Sequence, residues 1–257
     1  MKSKKKLIAV LACRNDGSRL YGKPLQNLDI KNGISILDYL IESLKTLEFI
    51  SDIVIAISKG SSNKAFIEYA KKNKIKYVIG DEIDVLSRLI KSGKKYNATD
   101  VLRVSSESPF KYYKPLKKAW SNHSKYNYDF TTLVEVIDGI GFEIISMKAL
   151  NYSHKYGTKR HKSELCSLYI RENITKFKCQ KIVADKKYVR KDLRLTVDYP
   201  EDLILCREIY EKFKHQAPKI KIENIINFLD NNVKLINLTK KFTEEGYSTM
   251  HIWNAKQ

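Results

Sequence analysis

The chain has 257 residues, 43% hydrophobic and 30% charged, with 48 Lys and Arg against 29 Asp and Glu, a formal net charge of +19. At this length it buries most of its apolar surface without covalent staples, and Cys13, Cys166, Cys179 and Cys206 lie far apart with no C-x-x-C pair, which argues against a zinc site or a disulfide framework and for reduced cytoplasmic thiols. The lysines are scattered over every segment without a nucleic-acid-binding motif, and the run LIAVLA after KSKKK is too short to cross a membrane, so neither nucleic acid nor a membrane is expected as a partner and anionic small substrates fit the charge.

Residues 7–12 read as a buried parallel strand, and 36–47 (ILDYLIESLKTL) carry apolar residues at three-and-four spacing, the pattern of an amphipathic helix whose stripe Ile36, Leu37, Leu40 and Leu44 faces a core. The alternation continues with a strand over 52–58, a helix over 63–73, a strand over 75–80, a helix over 85–96 and a strand over 100–105. Such an order predicts a doubly wound α/β sheet, in which ligands collect at the carboxyl ends of the strands. Beyond Pro109 the order loosens. A helix ends near residues 120–122, and strands are expected over 129–136 and 141–146, the second followed by a helix from Met147. Residues 154–163 (HKYGTKRHKS) read as a basic loop able to close over a substrate or serve a partner subunit, 193–198 as a further strand, and 200–213 as a helix opened by Pro200 with acids in its first turn. After Lys240 no periodicity is evident, so residues 1–240 are taken as one domain and 241–257 as a tail.

The turn after the first strand carries the densest chemistry. Gly17 and Gly22 let the backbone approach an anion, Arg14, Arg19 and Lys23 can neutralise charge spread over several phosphate oxygens, and Ser18 adds a hydroxyl donor. It is neither G-x-x-x-x-G-K-[ST] nor G-x-G-x-x-G. An anion loop and a solvated basic turn both fit these residue types.

The spacing, however, resembles a known pattern. A-C-R-N-D-G-S-R-L-Y-G-K-P-L, beginning at Ala12, is similar to the A-R-x-x-S-x-R-L-x-G-K-x-L signature of the cytidylyltransferases that make CMP-activated sugar acids, the group of the CMP-Kdo and CMP-acylneuraminate synthetases. Residues 84–109 (DVLSRLIKSGKKYNATDVLRVSSESP) resemble the D-V-L-x-R … A-D … V-R-V-T-G-D-C-P segment of the spore-coat polysaccharide SpsF branch, and 192–210 (DLRLTVDYPEDLILCREIY) its L-T-V-D-T-P-E-D-L. The three motifs run in the family's order from about residue 7 to 214.

The resemblance implies a Rossmann-like nucleotide-diphospho-sugar transferase fold, a mixed but mostly parallel sheet flanked by helices. It implies a cytoplasmic enzyme that uses CTP and Mg²⁺ to activate a sugar acid for surface-polysaccharide or glycoconjugate assembly, releasing pyrophosphate, and a homodimer whose dimer and acceptor contacts come from residues 129–180. Arg14, Arg19 and Lys23 would hold the β- and γ-phosphates, with Ala12, Gly17, Ser18, Arg88 and Glu107 near the nucleotide, Asp198 and Glu107 on the metal, and Glu143 and Tyr169 near the acceptor. Two positions depart from the family. Glu107 stands where the family has Asp, which displaces the carboxylate by roughly 1.5 Å, one carbon–carbon bond, and Leu165 stands where it has His. Plainer roles also fit: Asp198 as the cap of the following helix, Arg88 paired with Asp84 one turn earlier, Glu107 as a solvated loop acid, Glu143 as an edge-strand acid facing water, and Tyr169 as packing. The five histidines show no metal-ligand spacing. Alternative functions are a cytidylyltransferase of the same fold acting on a phosphorylated or phosphonate acceptor to give a CDP-linked product, and a degenerate, non-catalytic anion-binding protein.

Overall fold

Successive residues of β1 (Leu7–Cys13) point to opposite faces of a sheet. Leu7, Ala9, Leu11 and Cys13 enter one apolar cluster and Ile8 and Val10 another, so the strand has to be covered on both sides. The computed structural model, which describes residues 5–15 and 19–249, does this with a seven-stranded sheet. Its order is β5 (Lys76–Gly80), β4 (Asp52–Ser58), β1, β6 (Asp100–Ser105), β8 (Glu143–Ser146), β7 (Phe130–Val134) and β9 (Cys179–Val183). The first four strands are parallel, β8 runs antiparallel to both its neighbours, and β9 is parallel to β7. A small antiparallel hairpin pairs β2 (Asn27–Asp29) with β3 (Ile34–Ser35).

One face is covered by α1 (Ile36–Lys45), α2 (Lys64–Lys72), α4 (Leu116–Tyr126), α7 (Pro200–Phe213), α8 (Ile222–Asp230) and α9 (Val233–Thr249), the other by α3 (Val85–Lys95), α5 (Met147–Tyr156) and α6 (Leu168–Glu172). Helix starts follow local chemistry. Ser35 and Asp38 form a reciprocal capping box on α1, and the Asp84 carboxylate accepts the Ser87 amide on α3. After β5 the chain crosses β4 and β1 to place β6 on the far side of β1. The strand order therefore reverses at β1, and the crevice outside the carboxyl ends of β1 and β6 is the switch point where such sheets bind ligands.

Three expectations are corrected. Residues 193–198 form no strand: Leu193, Leu195 and Val197 are buried at alternate positions, which produces the strand-like pattern, but their chain pairs with loops. Arg194 makes an isolated bridge with Asp138, Leu195 N–H donates to the Asp138 carbonyl, and Val197 N–H donates to the Glu107 carbonyl. The basic stretch 154–163 is not an open loop either. α5 runs to Tyr156, and a 3₁₀ turn over Lys159–Lys162 is tied down by Glu172, which accepts from Arg160 Nη2 at 2.5 Å and contacts His161 Nε2 at 2.7 Å. Finally, α9 passes through residue 240 without a break and packs on α7. Its inward side is Leu235, Ile236, Thr239, Thr243 and Gly246, a helical period carried partly by threonine and glycine, which do not register as apolar.

Among the described residues, no helix is long and apolar enough to cross a membrane, and the four cysteines are free thiols.

Candidate active site

The turn leaving β1 is held from two sides. Asn15 N–H donates to Asn63 Oδ1 at 2.8 Å, the Asn15 side-chain amide donates to the Ser62 carbonyl, and Gly22 N–H closes the turn on the Asn15 carbonyl at 3.1 Å. Gly22 has φ +59°, a left-handed conformation that suits glycine. Gly17 and Ser18 lie outside the described residues. Between this turn and the end of β6 lies a cavity of about 590 Å³ lined by Ala12, Arg14, Arg19, Lys23, Arg88, Glu107 and Asp198 among others. The structure thus gathers there every nucleotide and metal candidate from the three sequence motifs that it describes.

Arg88 is not paired with Asp84. It is 1% exposed, its Nε and Nη1 have no hydrogen-bond partner, and burial pushes its pKa down. Asp84 instead caps α3 and takes a contact from His154 Nε2 at 2.7 Å. Gly80 permits this packing, since a Cβ there would stand 2.7 Å from Arg88 Cγ. A buried guanidinium without an acid beside the cavity is a donor awaiting an acceptor. Arg19 donates from Nη1 to the Tyr199 hydroxyl at 2.9 Å and lies over its ring at 4.9 Å, and that ring stacks on Phe242 at 3.8 Å.

Asp198 does not cap α7. Asp202 does, accepting the Asp198 and Tyr199 amides at 2.9 and 3.0 Å. That leaves the Asp198 carboxylate to take Lys23 Nζ at 2.6 Å on one oxygen and Arg194 Nη2 on the other. Burial favours its neutral form, but the hydrogen bond and charge of Lys23, with Arg194 and Arg19, outweigh this and hold its pKa below the usual carboxylate value. Arg194, 4% exposed, also donates to Asp138 at 2.6 Å and to Asp202 at 3.1 Å, so one guanidinium ties together the loop before β8, the Asp198 segment and the start of α7.

A second cavity of about 780 Å³ adjoins the first and shares Arg19, Arg103, Ser105, Glu107, Glu164 and Asp198 with it. Its far wall comes from the β7–β8 connection and from α9, where Phe242, Glu245, Gly246 and Tyr247 reach it. Glu143 lies here, and it is not an edge-strand acid: β8 is an interior strand, and Glu143, 7% exposed, meets Arg103 at 3.0 Å, Arg171 at 2.8 Å and the Ser167 hydroxyl at 2.6 Å. Burial opposes its charge, yet the two guanidinium groups win and bring its pKa to about 2. Gly139 at the same wall has φ +96°, and a Cβ there would fall 2.4 Å from the Leu195 carbonyl oxygen. Gly139→Ala is therefore expected to cost about 3 kcal/mol in urea unfolding and to displace the 194–198 segment, and hence to lower turnover as well.

The sequence profile of the family described as Cytidylyltransferase matches residues 8–241. The chain belongs to the cytidylyltransferase family. The spore coat polysaccharide biosynthesis protein SpsF of Bacillus subtilis is 23% identical over 231 residues, 88% of this chain and 95% of that protein. A cytidylyltransferase structure from Leptospira borgpetersenii superposes with a TM-score of 0.81 at 21% identity, covering 91% of this chain and 97% of that one. A CMP:2-keto-3-deoxy-manno-octonic acid synthetase complexed with CTP superposes with a TM-score of 0.62 at 15% identity, covering 81% and 99%. The fold is the Rossmann-like nucleotidyltransferase fold, and family membership makes this chain a nucleotidyltransferase in place of a non-catalytic anion-binding protein.

Against that family, Tyr169 stands apart from the other candidates. Its ring is buried among His161, Tyr152 and Phe177, and it lines neither cavity. Leu165, where the motif has His, is on the wall of the second cavity. Residues that no motif marks also build the site: Arg194, Asp138 and Asp202 form one ion cluster, Asn63 anchors the β1 turn, and Lys111 lines the second cavity. Arg194 and Asp198 stand four residues apart, roughly 13 Å in the strand expected there, so the spacing gives no sign of their contact.

Proposed function

We propose that this enzyme transfers CMP from CTP to a hydroxyl of a sugar acid, with Mg²⁺, to supply activated sugar for surface-polysaccharide or glycoconjugate assembly. What supports the reading is the pair of cavities meeting at a wall that carries Arg19, Glu107 and Asp198. The first, with Arg14, Arg19, Lys23 and Arg88, suits the nucleotide and its phosphates, and the second suits the acceptor. The acceptor hydroxyl oxygen forms a bond to the α-phosphorus and gives up its proton to solvent, the bond from that phosphorus to the α,β-bridging oxygen breaks, and pyrophosphate carries away the charge that Arg14, Arg19 and Lys23 neutralise.

Asp198 and Glu107 offer hard carboxylate oxygens on the shared wall, the donor chemistry that Mg²⁺ takes together with substrate phosphates and water. A third protein ligand is not required by that chemistry, and among the described residues no group of three or more His, Cys, Asp or Glu is placed to hold a metal. Held by Asp198 and Glu107, the ion would supply positive charge that offsets the negative charge developing in the reaction. The chain's own part is to aim the two carboxylates: Arg194 holds Asp198 from behind, and the Ser106 hydroxyl donates to the Glu107 carboxylate at 3.1 Å. The same reading includes a homodimer formed through residues 129–180, at whose end β9 begins as an open sheet edge.

The test is pyrophosphate release from purified protein with CTP, Mg²⁺ and a panel of sugar acids. A CMP-linked product is the expected result. A CDP-linked product, one phosphorus heavier, would move the acceptor to the phosphorylated class. No release across the panel, with no CTP-dependent rise in melting temperature, would overturn the proposal. Sedimentation velocity reads the dimer directly.

A further inference from the structure

The second cavity contains many charges, and four of its arginines are already matched by acids. Arg103 and Arg171 share Glu143, Arg194 is held by three aspartates, and Arg190 pairs with Asp192 and Asp230. Arg19, on the wall shared with the first cavity, donates to the Tyr199 hydroxyl and lies over its ring, and Lys191 is exposed, where water screens it. Lys111 differs from all of these. It is half-buried, has no acid within ion-pair distance among the described residues, and among them donates only to the neutral Gly139 carbonyl at 2.7 Å. That carbonyl is held by the backbone: Leu195 N–H and the Asp138 carbonyl fix the neighbouring residue, and the Leu195 chain presses against Gly139. The lysine backbone is pinned too, because Phe110 is buried and Tyr112 N–H donates to the Ile140 carbonyl at 3.0 Å.

We propose that Lys111 is the specificity-determining residue of the acceptor cavity, reading a single carboxylate on a polyhydroxylated acceptor. The assignment rests on reading the second cavity as the acceptor site. An ammonium with one donor spent on a carbonyl keeps two for an incoming anion. One unmatched cation balances one carboxylate. A phosphate dianion at the same place would bring a second negative charge toward Glu107, Asp138 and Glu143, while Arg19 on the shared wall is engaged by Tyr199 and Lys191 is screened by water.

Titration calorimetry with gluconate, glucitol and 6-phosphogluconate separates these chemistries without requiring turnover. Wild-type protein should bind gluconate about tenfold or more tightly than neutral glucitol, with no further gain from the phosphate. Lys111→Met and Lys111→Gln should erase the preference, the glutamine variant keeping a donor for Gly139, while melting temperature and CTP affinity stay at wild-type values. Burial lowers the Lys111 pKa to about 8, Glu107, Asp138 and Glu143 opposing and Arg103 assisting. A bound anion favours the protonated amine, so gluconate affinity should be highest below about pH 8 and fall up to about tenfold per unit above it. No preference for gluconate in wild-type protein, a preference that survives both variants, or a Lys111-dependent gain from the added phosphate would each overturn the assignment. Absence of CTP turnover with sugar acids, alongside an intact Lys111-dependent preference for gluconate, would overturn the proposed reaction and leave the assignment of Lys111 in place.

Discussion

Asp198→Asn is expected to lower CTP turnover by roughly a hundredfold to a thousandfold, the loss seen when a group aimed at transition-state charge is removed, while the protein still unfolds in one cooperative step. The substitution keeps the shape and an acceptor oxygen for Lys23 but removes the charge. Arg194 keeps Asp138 and Asp202, so the loop before β8 and the start of α7 stay joined. With side chains 20% and 26% exposed, the Lys23–Asp198 pair stabilises the empty enzyme by no more than about 1 kcal/mol. The folded pKa of Asp198 lies below its usual value. The stability it adds is therefore present above the unfolded carboxylate pKa and lost as pH falls through the folded one, so the difference between variant and wild type in urea unfolding should shrink in acid. Turnover within threefold of wild type would show that Asp198 does not face the reacting phosphates.

Arg194→Met should act in the opposite way, on the fold first, at a cost of about 3–5 kcal/mol, the price of removing one partner from a buried ion cluster. Asp138, Asp198 and Asp202 all lean on this one side chain, and its loss leaves three carboxylates facing each other. Arg194→Lys should rescue only part of the loss, because one ammonium cannot fork to three acids. Burial already raises the Asp138 and Asp202 pKa values even with Arg194 and its charge pulling them down. A raised folded pKa means stability that is fully present below the unfolded value and lost as pH rises through the folded one. The defect of the methionine variant should thus be largest at neutral pH and smaller near pH 4. A loss under 1 kcal/mol, or one independent of pH, would mean the cluster contributes little.

The two predictions concern a region that the sequence reveals unevenly. From β1 to β6 the elements are legible because each carries an unbroken apolar strand or a dense stripe, as in LIAVLAC and ILDYLIESLK. The later elements hide for separate reasons. β9 (CQKIV) is an edge strand with no buried residue, so its alternation is mostly polar. α4 buries only Leu116, Ala119 and His123 among lysines and polar residues. In the site, Arg14, Arg19, Lys23, Arg88, Glu107 and Asp198 converge as the motifs implied, since each lies near the end of an element that the sheet brings to one edge. Lys111 and Asp138 carry no spacing that marks them. Their roles come from the long-range pairing of the β7–β8 connection with residues 194–195, and local pattern does not encode such pairing.

The path of α9 bears on how the protein is best handled. Phe242 and Tyr247 border the second cavity, so a bulky fluorescent label attached to the helix near residue 245 would crowd incoming molecules. β1, by contrast, starts at Leu7 and delivers the chain to the crevice only after seven residues, about 20 Å of extended backbone. A label on Lys5, just before that strand, therefore sits on the opposite rim of the sheet, and kinetic work should use that position.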